Sequence, residues 1–300
     1  KRLIVAIIFI LFVFSTSGCT PAPPREQVNN SMNIAQIPLS NQPGPEQKVP
    51  GPSPVHPGTD TSVPYDHPFP AQGVPILMYH SIADLPGNNL GVPPGKFAEQ
   101  MNFLHKAGFT TITPDQLLNA YIGTGKLPSS PILLTFDDGY PDNYYVAFPI
   151  LKQYGFTATF FVITGDVDHG MLTWSQLKEM QDYGMSIQSH TVSHPDLRNL
   201  SDLCLRKQLA DSKASIEAKL NTVVKFFCYP SGKYNAQTLN QLKELGYTMG
   251  VTTSYGFAQL NQNPLLFSRV RISGDSSLET FKKQVSHHTT PANKTGQKKP

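Results

Sequence analysis

The chain has 300 residues, a formal net charge of +3 and 15% charged residues. With so small a net charge and no basic stripe along the sequence, nucleic acid is not expected as a partner. The chain is long enough to bury a sizeable core, and its length suits one domain with additional terminal segments.

The first residues predict an exported lipoprotein. A basic start precedes twelve apolar residues, Leu3 to Phe14, a run too short to span a bilayer but typical of a secretory signal peptide. Small residues lead to Cys19, and this end resembles a lipobox, although Thr16 stands where leucine is usual. We predict residues 1–19 as a lipoprotein signal, with Cys19 lipidated and the protein anchored on the outer face of the cell membrane. The alternative is an ordinary signal peptide.

The next segment, residues 20–73, is rich in proline and poor in large apolar residues. Thirteen of the 27 prolines of the chain lie in it. Such a composition cannot bury enough surface to offset the entropy of ordering. We predict a disordered tether that lets the anchored domain reach into the cell wall. The polar, basic residues 287–300 predict a disordered tail, which leaves residues 74–286 as one domain.

Short apolar runs bounded by turn residues predict eight strands in this domain. They lie at 74–80, 110–113, 131–136, 157–163, 186–189, 224–229, 247–253 and 267–272.

Amphipathic segments alternate with these strands. One of them places Phe97, Met101 and Leu104 on one face, and another opens with Thr173 and Gln176 in capping-box spacing. This alternation predicts an α/β fold with parallel strands and outer helices. Seven or eight such units favour a (β/α)7-8 barrel, and an open doubly wound sheet is the alternative.

Polar residues that can carry chemistry stand at the ends of four predicted strands. In barrels of parallel strands the active site lies at the carboxyl ends of the strands. The residues at these ends are His80, the pair Asp137 and Asp138, the pair His190 and His194, and the turn 230–232. We therefore expect them to meet on one rim.

These groups suit a catalytic metal. His190 and His194 are four residues apart, so one loop can aim both at one point, and one aspartate of the adjacent pair can complete a His-His-Asp set. Three protein ligands with open positions are typical of catalytic sites. The other aspartate would then take a proton from the attacking water, and the cation would relieve the repulsion between the two carboxylates.

Two stretches carry a family resemblance. "TFDDGY" at 135–140 followed by "HTVSHPDL" at 190–197 resembles the polysaccharide deacetylase family, also called carbohydrate esterase family 4. The resemblance implies a deformed barrel and removal of acetyl from an N-acetylhexosamine. It also implies that Asp137 is the general base. Asp138, His190 and His194 would bind a divalent metal, in first place Zn²⁺, with Co²⁺, Ni²⁺ or Mn²⁺ as alternatives.

The sequence departs from the usual family pattern in two places. Cys228, in "CYPSG", stands where an arginine usually orients the base, and the late Leu-x-His motif of the general acid is missing. The start "VPILMYHSI", however, resembles biofilm poly-N-acetylglucosamine deacetylases, in which an early histidine serves as the acid. This resemblance implies that His80 is the acid. Because His80 directly follows a predicted strand, we expect it to point across the barrel mouth, on the opposite side from Asp137. His169, in the loop "DVDHG", is its rival.

Further residues are predicted around the chemistry. The backbone N–H of Ser231 is a candidate donor to the oxyanion. Arg269 and Arg271 lie two apart on one strand, so either is a candidate to replace the missing arginine, and both are also predicted among the substrate-binding residues. The alternative is that both form surface ion pairs.

Aromatic and turn residues near the rim are predicted to bind substrate. Tyr140 and Trp174 are candidates to stack on sugar rings, and core packing is the alternative for Trp174. Tyr229 and Pro230 belong to the rim turn and are included in this group. Cys228 also leaves open whether it pairs with Cys204, because spacing alone cannot decide a disulfide.

The predicted function is metal-dependent N-deacetylation of an N-acetylglucosamine polysaccharide such as peptidoglycan, poly-N-acetylglucosamine or a chitin-like chain. We expect a monomer and no nucleic-acid partner. Two alternatives remain at this point. One is an O-acetyl esterase acting on xylan-like glycans, and the other is a glycan-binding or wall-stabilising lipoprotein with little or no activity.

Overall fold

The computed structural model describes residues 64–286. The predicted signal peptide with Cys19, most of the predicted tether and the predicted tail lie outside the described residues. Within residues 64–286, no helix is both long enough and apolar enough to cross a membrane.

The prediction of a deformed (β/α) barrel is confirmed. All eight predicted strands form, every pairing between them is parallel, and the order is β1-β8-β7-β6-β5-β4-β3-β2 with an additional pairing of β1 with β3. That pairing closes seven strands into a barrel and leaves the two-residue β2 outside it. The strands are β1 (Ile76–Tyr79), β2 (Thr110–Thr111), β3 (Pro131–Asp138), β4 (Thr159–Val162), β5 (Ser186–Ser189), β6 (Phe226–Cys228), β7 (Met249–Tyr255) and β8 (Phe267–Arg271).

Helices surround the barrel and begin where the sequence supplies caps. Thr173 accepts a hydrogen bond from the backbone N–H of Gln176 and forms the predicted capping box, and Gly184 ends the same helix with a left-handed φ of 117°. The helices are α1 (Pro94–Lys106), α2 (Pro114–Tyr121), α3 (Phe148–Gln153), α4 (Trp174–Tyr183), α5 (Asp202–Leu220), α6 (Ala236–Glu244) and α7 (Leu278–Val285).

The apolar residues divide into two buried clusters because side chains alternate along each strand. Leu77 of β1 and Leu134 of β3 belong to the cluster that packs against the helices. The residues next to them, Ile76 and Leu133, belong to a smaller cluster, which we call the barrel interior and which also contains Phe161. The interior is therefore filled by apolar side chains, and the polar residues of the rim lie above this packed layer.

The folded domain begins earlier than position 74. His67 pairs with Leu127 through two backbone hydrogen bonds of 3.0 and 2.8 Å. Phe69 is buried and belongs to the barrel interior. Residues 64–73, which composition assigned to the tether, thus form part of the domain. The reason is that the side chain of Phe69 packs against apolar residues that are distant in the sequence, and local composition does not reveal such a contact.

Candidate active site

The rim at the carboxyl ends of the strands brings the predicted groups together. Four of its residues adopt a left-handed φ although they are not glycine, namely Asp138 (74°), Thr191 (70°), His194 (55°) and Ser231 (53°). Backbone strain of this kind costs free energy and persists where the surrounding structure holds it, typically at functional sites. Its concentration here marks the rim as the candidate active site.

Asp138, His190 and His194 form a compact group of potential metal ligands. Oδ1 of Asp138 lies 3.4 Å from Nε2 of His190 and 3.7 Å from Nε2 of His194. Asp138 and His190 are buried, whereas His194 remains partly exposed. One side of the group therefore stays open toward the mouth.

The group fits a divalent metal of the zinc type. Two imidazole nitrogens and one carboxylate oxygen are a usual ligand set for zinc, and bonds of about 2 Å in a tetrahedron place ligand atoms about 3.3 Å apart. The measured separations are close to this value. Nδ1 of His190 lies 2.8 Å from the backbone oxygen of Cys228, a contact that orients the ring so that Nε2 faces Asp138.

The charges of the ligand group compensate one another while no metal is bound. Burial alone would raise the pKa of Asp138, but the neighbouring histidines hold this pKa well below its usual value. Burial alone would lower the pKa of His190, but contacts with Cys228 and Asp138 raise this pKa well above its usual value. A metal would displace the proton of His190, as expected for ligands that bind only when deprotonated.

Asp137 is held by Arg269 in a fully buried ion pair. The two guanidinium nitrogens Nη1 and Nη2 donate to Oδ1 and Oδ2 of Asp137 at 2.8 and 2.7 Å. Burial would raise the pKa of Asp137, but the guanidinium lowers it below its usual value. Asp137 is therefore kept ionised and fixed in orientation.

The remaining guanidinium donors are also satisfied. Nε donates to the backbone oxygen of Thr252 at 2.8 Å, Nη1 to Oγ1 of Thr135 at 3.0 Å and Nη2 to Sγ of Cys228 at 3.3 Å. Arg269 thus makes the contact with Asp137 that is expected of a replacement for the missing motif arginine. Because the side chain is fully buried, the prediction that it binds substrate and the alternative that it forms a surface ion pair are both wrong. Arg271, two residues further along β8, is exposed.

Cys228 is part of the same buried network. Its thiol donates to Oδ2 of Asp137 at 3.4 Å, and the residue is a free cysteine, so it is not paired with Cys204. Asp137, His190 and Cys228 also lie close enough to hold an ion. The guanidinium of Arg269 already contacts both Asp137 and Cys228, so a second cation there would be repelled.

His80 lies beside Asp137 rather than across the mouth from it. Its Nε2 atom is 3.9 Å from Oδ2 of Asp137, and its side chain is 15% exposed. Burial lowers the pKa of His80, and the carboxylates of Asp137 and Asp138 oppose this effect without reversing it. The rival His169 is exposed, and its Nδ1 lies 2.9 Å from the backbone oxygen of Val167.

The turn after β6 divides the predicted residues into two groups. Ser231 is exposed on the rim, where its left-handed φ belongs to a turn closed by a 2.8 Å hydrogen bond from the N–H of Gly232 to the oxygen of Tyr229. Tyr229 and Pro230 are buried, and the hydroxyl of Tyr229 donates to the backbone oxygen of Leu265 at 2.9 Å. Their side chains therefore have no surface for substrate, and the prediction that these two bind it is wrong.

Tyr140 and Trp174 are half-buried near the rim. Trp174 packs against the apolar cluster beneath the helices, and its backbone N–H donates to Oδ1 of Asp168 at 3.2 Å. The N–H of Leu172 donates to the oxygen of Gly139 at 3.0 Å, which places the start of α4 beside the Asp137–Gly139 segment.

Comparison with known proteins agrees with this geometry. The family model described as polysaccharide deacetylase matches residues 124–250. The polysaccharide deacetylase YxkH of Bacillus subtilis is 41% identical over 210 residues, which cover 69% of this chain and 74% of that protein. The chain belongs to the polysaccharide deacetylase family. Poly-beta-1,6-N-acetyl-D-glucosamine N-deacetylase of Staphylococcus aureus is 30% identical over 220 residues, covering 67% of this chain and 74% of that protein.

Solved structures show the same fold in other deacetylases of this family. Streptococcus pyogenes deacetylase PplD, solved in complex with acetate, has a TM-score of 0.68 and 36% identity and covers 71% of this chain and 98% of its own. The polysaccharide deacetylase BC0361 of Bacillus cereus has a TM-score of 0.65 and 32% identity, over 72% of this chain and 69% of its own. The protein is thus a hydrolase of the polysaccharide deacetylase type.

Three contacts of this deacetylase site were missed by the sequence analysis. Thr135 and Cys228 contact the buried guanidinium, and Asn143 contacts the backbone of His80. The period of two along β3 places Thr135 on the same face as Asp137, so that signal was present. Asn143 follows the Asp-Asp-Gly turn and lies in a five-residue π-helix. No local sequence pattern predicts this π-helix, so the contact of Asn143 could not be predicted either.

Proposed function

We propose that this deacetylase is metal-dependent and removes N-acetyl groups from N-acetylglucosamine polysaccharides of the cell envelope or the extracellular matrix. The observation that carries the proposal is the joint position of a His-His-Asp group, an ionised Asp137 and His80 at one rim. A divalent cation held by Asp138, His190 and His194, in first place Zn²⁺, would supply Lewis acidity toward the acetyl carbonyl and the attacking water.

The residues of the chain divide the proton transfers between them. Asp137, kept ionised by Arg269, accepts the proton of the attacking water as general base. The developing oxyanion accepts a hydrogen bond from the backbone N–H of Ser231 in the exposed turn. His80 donates a proton to the nitrogen of the leaving amine, which would otherwise depart as an unstable anion.

The choice of substrate rests on the relatives and on the residues of the mouth. The Staphylococcus aureus relative carries the name of a poly-beta-1,6-N-acetyl-D-glucosamine N-deacetylase. Tyr140 and Trp174 are half-buried beside the rim and offer aromatic surface to a sugar ring. Arg271 is exposed at the end of β8 and stays a candidate to donate hydrogen bonds to sugar hydroxyls. These features favour an aminosugar polymer, and we propose that one chain suffices, since every site residue comes from it.

The reading as an inactive glycan-binding protein loses its main support. It rested on the absence of an arginine at the position of Cys228. Arg269 reaches Asp137 from β8 and supplies the same bidentate contact. An O-acetyl esterase would use the same groups. Only a measured preference for amide or ester substrates therefore distinguishes it from an N-deacetylase.

Acetate release tests the function directly. We expect the purified protein to release acetate from poly-N-acetylglucosamine or chitin oligomers, to lose this activity after chelation, and to regain it with Zn²⁺ or Co²⁺. His190→Ala and His194→Ala should lose both metal and activity, because each removes one of three ligands. Activity on acetylated xylan alone would replace the proposal with the esterase. Full activity after complete removal of metal would contradict the metal site.

We further propose that the protein is anchored on the outer face of the cell membrane through lipid on Cys19. Support comes only from the basic, apolar and small residues that precede Cys19. Labelled palmitate should enter the wild-type protein, and Cys19→Ala should abolish the labelling and release the protein from the membrane fraction. Equal labelling of both proteins would contradict the proposal.

A further inference from the structure

The segment that follows Asp137 and Asp138 returns to the end of β1. The side chain of Asp142 accepts two hydrogen bonds from the residues after His80. The hydroxyl of Ser81 donates to Oδ2 at 2.6 Å, and the backbone N–H of Ile82 donates to Oδ1 at 2.7 Å. The loop that leaves β1 is thus tied to the loop that leaves β3.

Asn143 extends this connection to His80 itself. Its Nδ2 atom donates to the backbone oxygen of His80 at 2.8 Å and to Oδ1 of Asp142 at 3.0 Å. Asn143 is fully buried, and it opens a π-helix at residues 143–147. Such irregular helical turns are rare and frequently occur at functional sites.

The connection begins where the regular sheet stops. The last paired residues of β1 and β3 are Tyr79 and Phe136. The next residues along the two strands are His80 and Asp137, whose side chains lie 3.9 Å apart. Beyond the last pair no ladder hydrogen bond fixes the two strands to each other, so the separation of His80 and Asp137 depends on what holds the two loops.

We propose that Asp142 and Asn143 are positioning residues for the general acid: they hold the backbone of His80 against the segment that carries the base. The inference rests on the proposed role of His80. The donors to Asp142 are neutral groups, a hydroxyl, a backbone N–H and a side-chain amide. A half-buried carboxylate without an opposing charge is costly, which suits a residue retained for geometry. Among the catalytic steps, only protonation of the leaving group should depend on Asp142 and Asn143.

A comparison of two substrates separates positioning from general stability. Asn143→Ala is expected to lower kcat about 10- to 100-fold on N-acetylglucosamine oligomers, since misplacement by about 1 Å costs up to about 100-fold. KM should change little. The metal-dependent hydrolysis of 4-nitrophenyl acetate should fall less than about 3-fold, because its leaving group departs without a proton. Metal content should stay that of the wild type.

Milder variants keep the test usable if Asn143→Ala does not fold. Ser81→Ala removes one donor to Asp142, and Asp142→Asn removes one acceptor. Like Asn143→Ala, both should lower the turnover of N-acetylglucosamine oligomers relative to the hydrolysis of 4-nitrophenyl acetate. Asn263→Ala is the matched control, because Asn263 also fixes a loop by accepting a backbone N–H, that of Leu265 at 3.0 Å, before the amino end of β8. It should leave the ratio unchanged.

The double variant distinguishes the possible failures. If Asn143 acts through His80, then His80→Ala with Asn143→Ala should lose no more amide turnover than His80→Ala alone. Additive losses, or equal losses on both substrates with Asn143→Ala, would overturn the positioning role. If His80→Ala itself spares amide turnover, the general acid is wrong and the inference falls with it, whatever Asn143→Ala does.

Discussion

Replacing His80 by alanine is expected to lower turnover of N-acetylated glycans by about 10²- to 10⁴-fold, the usual contribution of a general acid. The fold and the bound metal should be retained, because His80 is not a member of the ligand group of Asp138, His190 and His194. Its side chain lies at the rim and is 15% exposed, so the variant does not open a cavity in the core. Steady-state acetate release, metal analysis and a thermal melt measure the three expectations.

The rival acid and the leaving group provide the controls. His169→Ala should keep nearly full activity, since His169 is exposed and its ring contacts the backbone of its own loop. Activated aryl acetates should suffer less from His80→Ala than acetamides do, because an aryl oxide leaves without prior protonation. Nearly normal activity of His80→Ala together with inactive His169→Ala would reverse the assignment.

Replacing Arg269 by methionine is expected to impair both stability and activity. The guanidinium is fully buried and donates to both oxygens of Asp137. Removing one partner of a buried ion pair costs about 3–5 kcal/mol, because the other charge stays in a medium of low dielectric constant. Burial then raises the pKa of Asp137 against only the weaker attraction of His80 and His190, so the base is more readily protonated. Denaturant unfolding should show the loss, and activity should fall by about 10²-fold or more.

A second substitution separates the two effects of Arg269. Arg269→Met combined with Asp137→Asn removes both charges, so most of the free energy of unfolding should return while activity stays absent. Arg269→Lys should recover little activity, since a lysine cannot make the bidentate contact. Wild-type stability and turnover in Arg269→Met would show that Asp137 needs no cation, and the proposed replacement of the motif arginine would be wrong.

Local patterns were sufficient to predict most of the barrel. Strands and helices follow from apolar periodicity and capping residues, which act within a few residues of each other, as at Thr173 and Gln176. The ends of elements were less well predicted. The third strand runs two residues beyond its apolar stretch, through Asp137 and Asp138, because β4 continues to pair with it and the rim satisfies the two carboxylates.

The candidate site was predictable to the extent that its residues are near in sequence. His190 and His194 share one loop, and Asp137 and Asp138 are adjacent, so the chemistry of the group could be inferred without coordinates. The buried or exposed state of the turn residues could not be inferred in the same way. Tyr229 follows the inward-facing Cys228, so alternation turns its ring into the apolar cluster and away from the mouth.

The sequence by itself determined the order of strands and helices, the rim and the group of potential metal ligands, since each depends on neighbours along the chain. The tertiary structure alone decided between Arg269 and Arg271, which share a face of β8. Depth in the closed barrel buries Arg269 against Asp137, 132 positions away in sequence, and leaves Arg271 exposed. Contacts of this kind depend on how far each strand extends along the barrel axis relative to the other strands. No local pattern in a single sequence encodes these relative positions.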